Sequence, residues 1–283
     1  MIVNYPIYET RTIKDYLESF YLGKSKIYNL FFNNQILLNN HKCKENDSIK
    51  KGDIISIIYD EEIDYEKSNK DIDILYEDDY FLIINKPKNI IIHDSKSNKD
   101  SLSNRVANYY YNNGISLNIR FAHRLDFETT GLIIYCKDML THSYMNHFIE
   151  THDIKREYRL LVSGKMNKKK GFIDFPIGKN RHENGKMIVS KTGKEARTYY
   201  EVLKEYKSYS YIKCLLETGR THQIRVHFSY LGHPLLGDLL YGGDTNLIDR
   251  VSLHSYMTSF IHPVYKNSLE VKCELPLDMK GLV

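Results

Sequence analysis

Residues 122–138 read Ala-His-Arg-Leu-Asp-Phe-Glu-Thr-Thr-Gly-Leu-Ile-Ile-Tyr-Cys-Lys-Asp, and two patterns meet inside them. The second part, 132–137, is a short apolar run with the composition of a buried strand. The first part crowds His123, Arg124, Asp126 and Glu128 together and ends on Thr129, Thr130 and Gly131. Paired threonines and a glycine before a strand predict a shaped loop. Four polar side chains in so short a loop suit a reactive site. The structural alternative is that Asp126 caps backbone N–H groups or pairs with Arg124.

Strand patterns flank this loop on both sides. The runs 72–76 and 80–85 are separated by Glu77-Asp78-Asp79 and predict a hairpin. Residues 139–151 carry Met139, Tyr144, Phe148 and Ile149 and predict a helix. Another strand is expected over 156–162, and a further hairpin over 198–205 and 209–217. Adjacent strands with few crossover helices predict an α+β domain with a mixed, largely antiparallel sheet.

A second polar cluster follows, Glu217-Thr218-Gly219-Arg220-Thr221-His222-Gln223-Ile224-Arg225-Val226-His227-Phe228. Ile224, His227, Phe228 and Leu231 fall at i, i+3, i+4 and i+7, the spacing of a helix face. Thr221 is the expected N-cap, Gly232 the C-terminal residue and Pro234 the stop. The segment thus predicts strand, Gly-Arg corner and helix, with Arg220 beside a helix N-terminus that favours anions. Arg220 could equally be a surface arginine covering apolar atoms. His222 and His227 are five apart, so one helix face does not present both to a metal.

The N-terminal part has its own pattern. Ile13, Tyr16, Leu17, Phe20 and Tyr21 predict a helix capped by Thr12, and Ile27, Leu30 and Phe31 a second one capped by Ser25. Strands are expected over 35–38 and 54–59. Residues 11–51 hold eight Lys/Arg against four Asp/Glu, which fits a small RNA-binding module or a solvated basic surface. The polar stretch that follows lacks apolar periodicity, so the expected division is 1–62, a linker over 63–71, and a larger domain over 72–283.

The whole chain has 283 residues, 42% of them hydrophobic, and a net charge of +4. That mild basic bias is compatible with nucleic acid. Cys43, Cys136, Cys214 and Cys273 are far apart in sequence, so neither a cysteine zinc site nor a disulfide framework is expected. No signal-peptide pattern and no apolar run of spanning length occur. A cytoplasmic protein without membrane partners is expected.

The segment HRLDFETTGL at 123–132 resembles the H-R-L-D-x-x-T-S-G-L pattern of the RluA-type pseudouridine synthases. KREYRLLVSG, GKEARTYYEVL, TGRTHQIRVHFSYLGHPLLGD and LHSYMTSFIHP agree in order. The N-terminal unit resembles an S4-like α+β RNA-binding domain. Thr130 stands where serine is usual, and Asn89 where glycine is usual, although asparagine tolerates left-handed backbone.

The resemblance implies isomerisation of uridine to pseudouridine in structured RNA, with 23S-type ribosomal RNA favoured over tRNA. It implies Asp126 as the nucleophile, Arg220 as its basic partner and Tyr158 as the residue stacked on the target base. Arg124, His123, Thr130 and Arg225 are the implied RNA-binding and base-flipping residues, and Lys24, Lys26 and Lys42 the S4-type contacts. A monomer is implied. An isomerisation has no net electron or water balance, so no cofactor and no metal are expected. A non-catalytic RNA-binding protein would predict a damaged HRLD or Tyr158 position, and a metal-dependent RNA hydrolase would need clustered ligands. The sequence has neither feature.

Overall fold

The computed structural model describes residues 1–93 and 100–283. Its main sheet has ten strands, built around the apolar run Thr130–Cys136, which is buried throughout. Phe81–Lys86 lies antiparallel on one side of it, and Asp73–Glu77 lies beyond that. On the other side Leu253–Ile261 pairs with it in parallel. Lys155–Ser163, Tyr209–Leu216, Arg197–Glu205 and Lys170–Asp174 continue the sheet antiparallel. The sheet is therefore mixed and largely antiparallel, and the fold is α+β, as the strand spacing predicts.

The one parallel pair among the described residues brings the polar loop to its neighbours. Gly131 and Tyr158 both register with Ser255 from opposite sides. A Cβ on Gly131 would lie 2.2 Å from the Ser255 carbonyl oxygen, and its φ is +104°. Glycine is required there on both counts. The exit of the loop thus lies one strand away from Tyr158.

Met139–Glu150 forms the expected helix, with the Asp138 side chain accepting from Thr141 N at 2.9 Å. Leu102–Asn112 is a helix that the sequence reading left unassigned. Ser101 and Asn104 close a capping box there, and Leu102, Val106, Ala107 and Tyr110 form its buried face.

The N-terminal region has a four-stranded antiparallel sheet ordered Ile2–Pro6, Ile54–Ile58, Ile36–Leu38 and His41–Lys42. Its edge strand Ile2–Pro6, which buries Val3 and Tyr5, also went unassigned. The helix Ile13–Glu18 has Thr12 as its side-chain cap, accepting from Asp15 N at 3.1 Å. The helix Lys24–Phe32 starts one residue before Ser25, on Gly23, so Ser25 is not its cap.

This region is packed on the rest of the chain by rings. Phe20 meets Tyr144 edge-on at 6.3 Å, Tyr21 stacks on His147 at 3.5 Å, and Tyr80 donates to the Asn4 carbonyl at 2.5 Å. The stretch between the two regions is also anchored. Glu61 pairs with Arg120 and accepts from Asn118 N at 3.1 Å, and Asp64 accepts from Ile119 N at 2.8 Å. Among the described residues no helix is long and apolar enough to cross a membrane.

Candidate active site

Asp126 lies on a tight turn in which Thr129 N donates to the Asp126 carbonyl at 3.1 Å. The loop is held by groups from several elements. The Lys86 ammonium donates to the carbonyls of Phe127 at 2.8 Å, Thr129 at 2.7 Å and Pro87 at 3.1 Å. Val251 N donates to the Glu128 carboxylate at 3.1 Å. The Thr130 hydroxyl lies 2.8 Å from His254 Nδ1, and His254 Nε2 lies 3.1 Å from the Cys273 carbonyl. Asn89, on the facing loop, has φ +60°, so asparagine does supply the left-handed turn. Such tethering fixes the carboxylate before any substrate arrives.

Lys86 is fully buried. Burial pulls its pKa down to about 7, the Asp126 charge pulls it back up, and Arg250 opposes it. An unfolded lysine keeps its proton to roughly pH 10. Between about pH 7 and 10 the unfolded chain therefore binds the extra proton, and native stability rises with pH. Denaturant unfolding at several pH values should show this rise in the wild type and its loss in Lys86→Met.

The Asp126 carboxylate meets Arg225 Nη1 at 3.2 Å. The same guanidinium grips Asp238 with two bonds, Nε at 2.8 Å and Nη2 at 2.9 Å. It also lies 4.9 Å from the Tyr241 ring centroid. The Tyr241 hydroxyl lies 2.8 Å from His222 Nδ1, which orients the other ring nitrogen to 3.9 Å from Asp126. Burial lowers the His222 pKa, with Asp126 raising it and Arg225 lowering it again. The two aspartates hold the Arg225 pKa above its ordinary value despite burial.

Arg220 does not make the pairing expected of it. Its Nε donates to the Glu195 carbonyl at 2.8 Å, and Arg225 makes the ion pair with Asp126. The reason is local. His222 adopts left-handed backbone at φ +55°, and the helix runs Gln223–Tyr230, so Arg220 precedes it. Thr221 is not the cap. The Gln223 side-chain Oε1 instead accepts from Arg220 N at 2.9 Å and from the Thr218 hydroxyl at 2.8 Å.

Arg225, expected as an RNA contact, is only 7% exposed and is occupied by the two carboxylates. Thr130, also expected as an RNA contact, is 5% exposed, with its hydroxyl 2.8 Å from His254 Nδ1. The sequence reading did not pick out Asp238, the carboxylate that fixes Arg225. The one signal for it was an acidic residue between the apolar pairs Leu235-Leu236 and Leu239-Leu240.

Tyr158 is 5% exposed and shares with Asp126 a cleft of about 1090 Å³. Burial raises its phenol pKa, Arg156 lowers it, and Asp126 raises it again. Arg124 is exposed on the wall of that cleft. His123 also lines it, and burial together with Arg156 pulls its pKa down to about 3, so the ring is neutral. Lys24, Lys26 and Lys42 are exposed on the N-terminal region, away from this cleft's lining. Among the described residues no group of three His, Cys, Asp or Glu is arranged to hold a metal.

The sequence and the fold have known counterparts. Residues 80–230 match the family described as RNA pseudouridylate synthase. The Bacillus subtilis protein named uncharacterized RNA pseudouridine synthase YhcT is 37% identical over 268 residues, covering 92% of this chain and 88% of its own. The ribosomal large subunit pseudouridine synthase D of Salmonella typhimurium is 32% identical, covering 92% of this chain and 85% of its own. Among solved structures, human RNA pseudouridylate synthase domain containing 1 aligns with TM-score 0.61 and 26% identity, covering 74% of this chain and 85% of its own. The fold and the matched sequence define an isomerase that acts on uridine in RNA. The chain belongs to the RNA pseudouridylate synthase family.

Proposed function

We propose that the chain converts uridine to pseudouridine in 23S-type ribosomal RNA, with Asp126 as the nucleophile and the target base flipped out of its stack. The observation that carries this reading is the Asp126 carboxylate, held by Arg225 inside a cleft that also contains Tyr158. A stacked nucleotide hides the atoms that react, so extrusion is required. The N1–C1′ bond breaks and a C5–C1′ bond forms, while the C5 proton is lost and N1 gains one. A carboxylate can attack a ribose or base carbon, or stabilise a developing oxocarbenium, and then leave.

In this reading Arg225 holds the Asp126 carboxylate in position through the 3.2 Å contact from its Nη1. Tyr158 stacks on the base. Arg124 fills the space that the flipped uridine leaves. The region over residues 1–62 acts as an S4-like module, with Lys24, Lys26 and Lys42 contacting phosphate in a salt-sensitive way. The protein acts as a cytoplasmic monomer without cofactor or metal. Large-subunit RNA is favoured over tRNA by the ribosomal relatives.

The test is tritium release from 5-tritiated RNA by the purified protein with a chelator present. Release from a large-subunit transcript and none from tRNA is expected. Release from tRNA alone would contradict the ribosomal assignment, and none from any RNA would contradict the activity.

A further inference from the structure

Arg156 is 7% exposed, yet its side chain has no ion pair or hydrogen bond among the described residues, and its Nε is buried without a partner. Every other strongly buried guanidinium at the site is matched. Arg225 holds Asp126 and Asp238, and Arg250 holds Asp278 at 2.7 and 2.9 Å. Its charge lowers the pKa of His123 and of Tyr158, and neither is an anion at neutral pH. A buried cation without a counter-charge is unfavourable unless a ligand supplies one.

Its position indicates which ligand. Beside the cleft that holds Asp126 lies a smaller cavity of about 360 Å³. Arg156, His152 and Leu216 line both, so Arg156 stands on the border between them. Gly219 covers the guanidinium without a side chain, since a Cβ there would lie 3.3 Å from Nη1. The smaller cavity is walled by Phe172 and Tyr199, whose rings lie 5.1 Å apart, and Phe172 is 64% exposed. An exposed aromatic face suits a base, and a guanidinium fork suits a phosphodiester.

We infer that the smaller cavity is a subsite for the nucleotide next to the target. Its base rests on Phe172 and Tyr199, and the phosphodiester joining it to the target binds Arg156. This rests on the proposed function and adds where the neighbouring nucleotide lies. Two nucleotides have one phosphodiester between their sugars, as the two cavities have one cation between them. Asp126 already has Arg225, so Arg156 is free for the strand.

The experiment uses a converted oligoribonucleotide with two kinds of change at each flank of the target uridine. One replaces the linkage with an uncharged methylphosphonate, and the other makes the neighbour abasic. On one flank each change should raise the wild-type KM by about tenfold. The methylphosphonate should add nothing to the KM of Arg156→Gln, and the abasic site should add nothing to that of Phe172→Ala. Phe172 is exposed, so its variant reports even if Arg156→Gln folds poorly. Conversion with fully additive penalties on both flanks would overturn the subsite alone. No conversion of any RNA by the wild type would overturn the proposed function and the subsite with it.

Discussion

Asp126→Asn is expected to lower the rate of isomerisation by at least roughly 10⁴-fold, the scale seen when an enzyme loses its nucleophile. The asparagine has the same shape and can still accept from Arg225 Nη1, now 3.2 Å from the carboxylate. The Lys86, Glu128 and Thr130 tethers do not involve the side chain that is changed. The loop should therefore keep its conformation, and the Kd for RNA should change little. Tritium release from 5-labelled RNA measures the rate, and filter binding measures affinity. Wild-type turnover by the variant would remove Asp126 from the chemistry.

Arg225→Ala should act on the fold and on the reaction together. Asp238 has side-chain exposure of only 1% and both its oxygens bond to this guanidinium. Removing the arginine leaves a buried carboxylate without a partner, which costs about 3–5 kcal/mol. It also leaves Asp126 without its cation, and a loss of about 10²- to 10³-fold in kcat is expected from a preorganised charge of this kind. The two effects can be separated. Arg225→Met with Asp238→Leu removes the buried charge, so it should restore most of the stability in a urea titration while the activity stays low. Recovery of activity in that double variant would show that Arg225 serves only the fold. Arg220→Ala should be far milder, since Arg220 is bound to a backbone carbonyl of Glu195.

The part of the site set by local sequence was readable in advance. The loop over 122–131, the strand behind it and the helix after Asp138 follow from turn residues, an apolar run and a side-chain cap. Asn89 at φ +60° follows from the backbone preference of its side chain. The resemblance implies Arg220 as the partner of Asp126, but Arg225 makes the ion pair, on a helix whose N-cap His222 adopts left-handed backbone at φ +55°. No turn residue marks that position, and apolar spacing fixes a helix only to within a residue or two at its ends. Arg225 sits on the first turn of that helix and meets Asp126, whereas Arg220 in the preceding corner turns to the Glu195 carbonyl.

Asp238 and Arg156 were missed for another reason. Their significance lies in what surrounds them, and a buried partner or a missing partner leaves no trace in spacing. Ile2–Pro6 is an edge strand, a position where its terminal proline is tolerated. The linker reading captured the lack of periodicity over 63–71. It did not anticipate that Glu61 and Asp64 bind the backbone of Asn118 and Ile119.

Pseudouridine mapping in the large-subunit RNA of a strain lacking this protein tests the role of Asp126 most directly. At least one pseudouridine should disappear, return when the wild-type chain is supplied, and stay absent when Asp126→Asn is supplied at the same level. Restoration of the modification by Asp126→Asn would contradict an aspartate-centred reaction at this site.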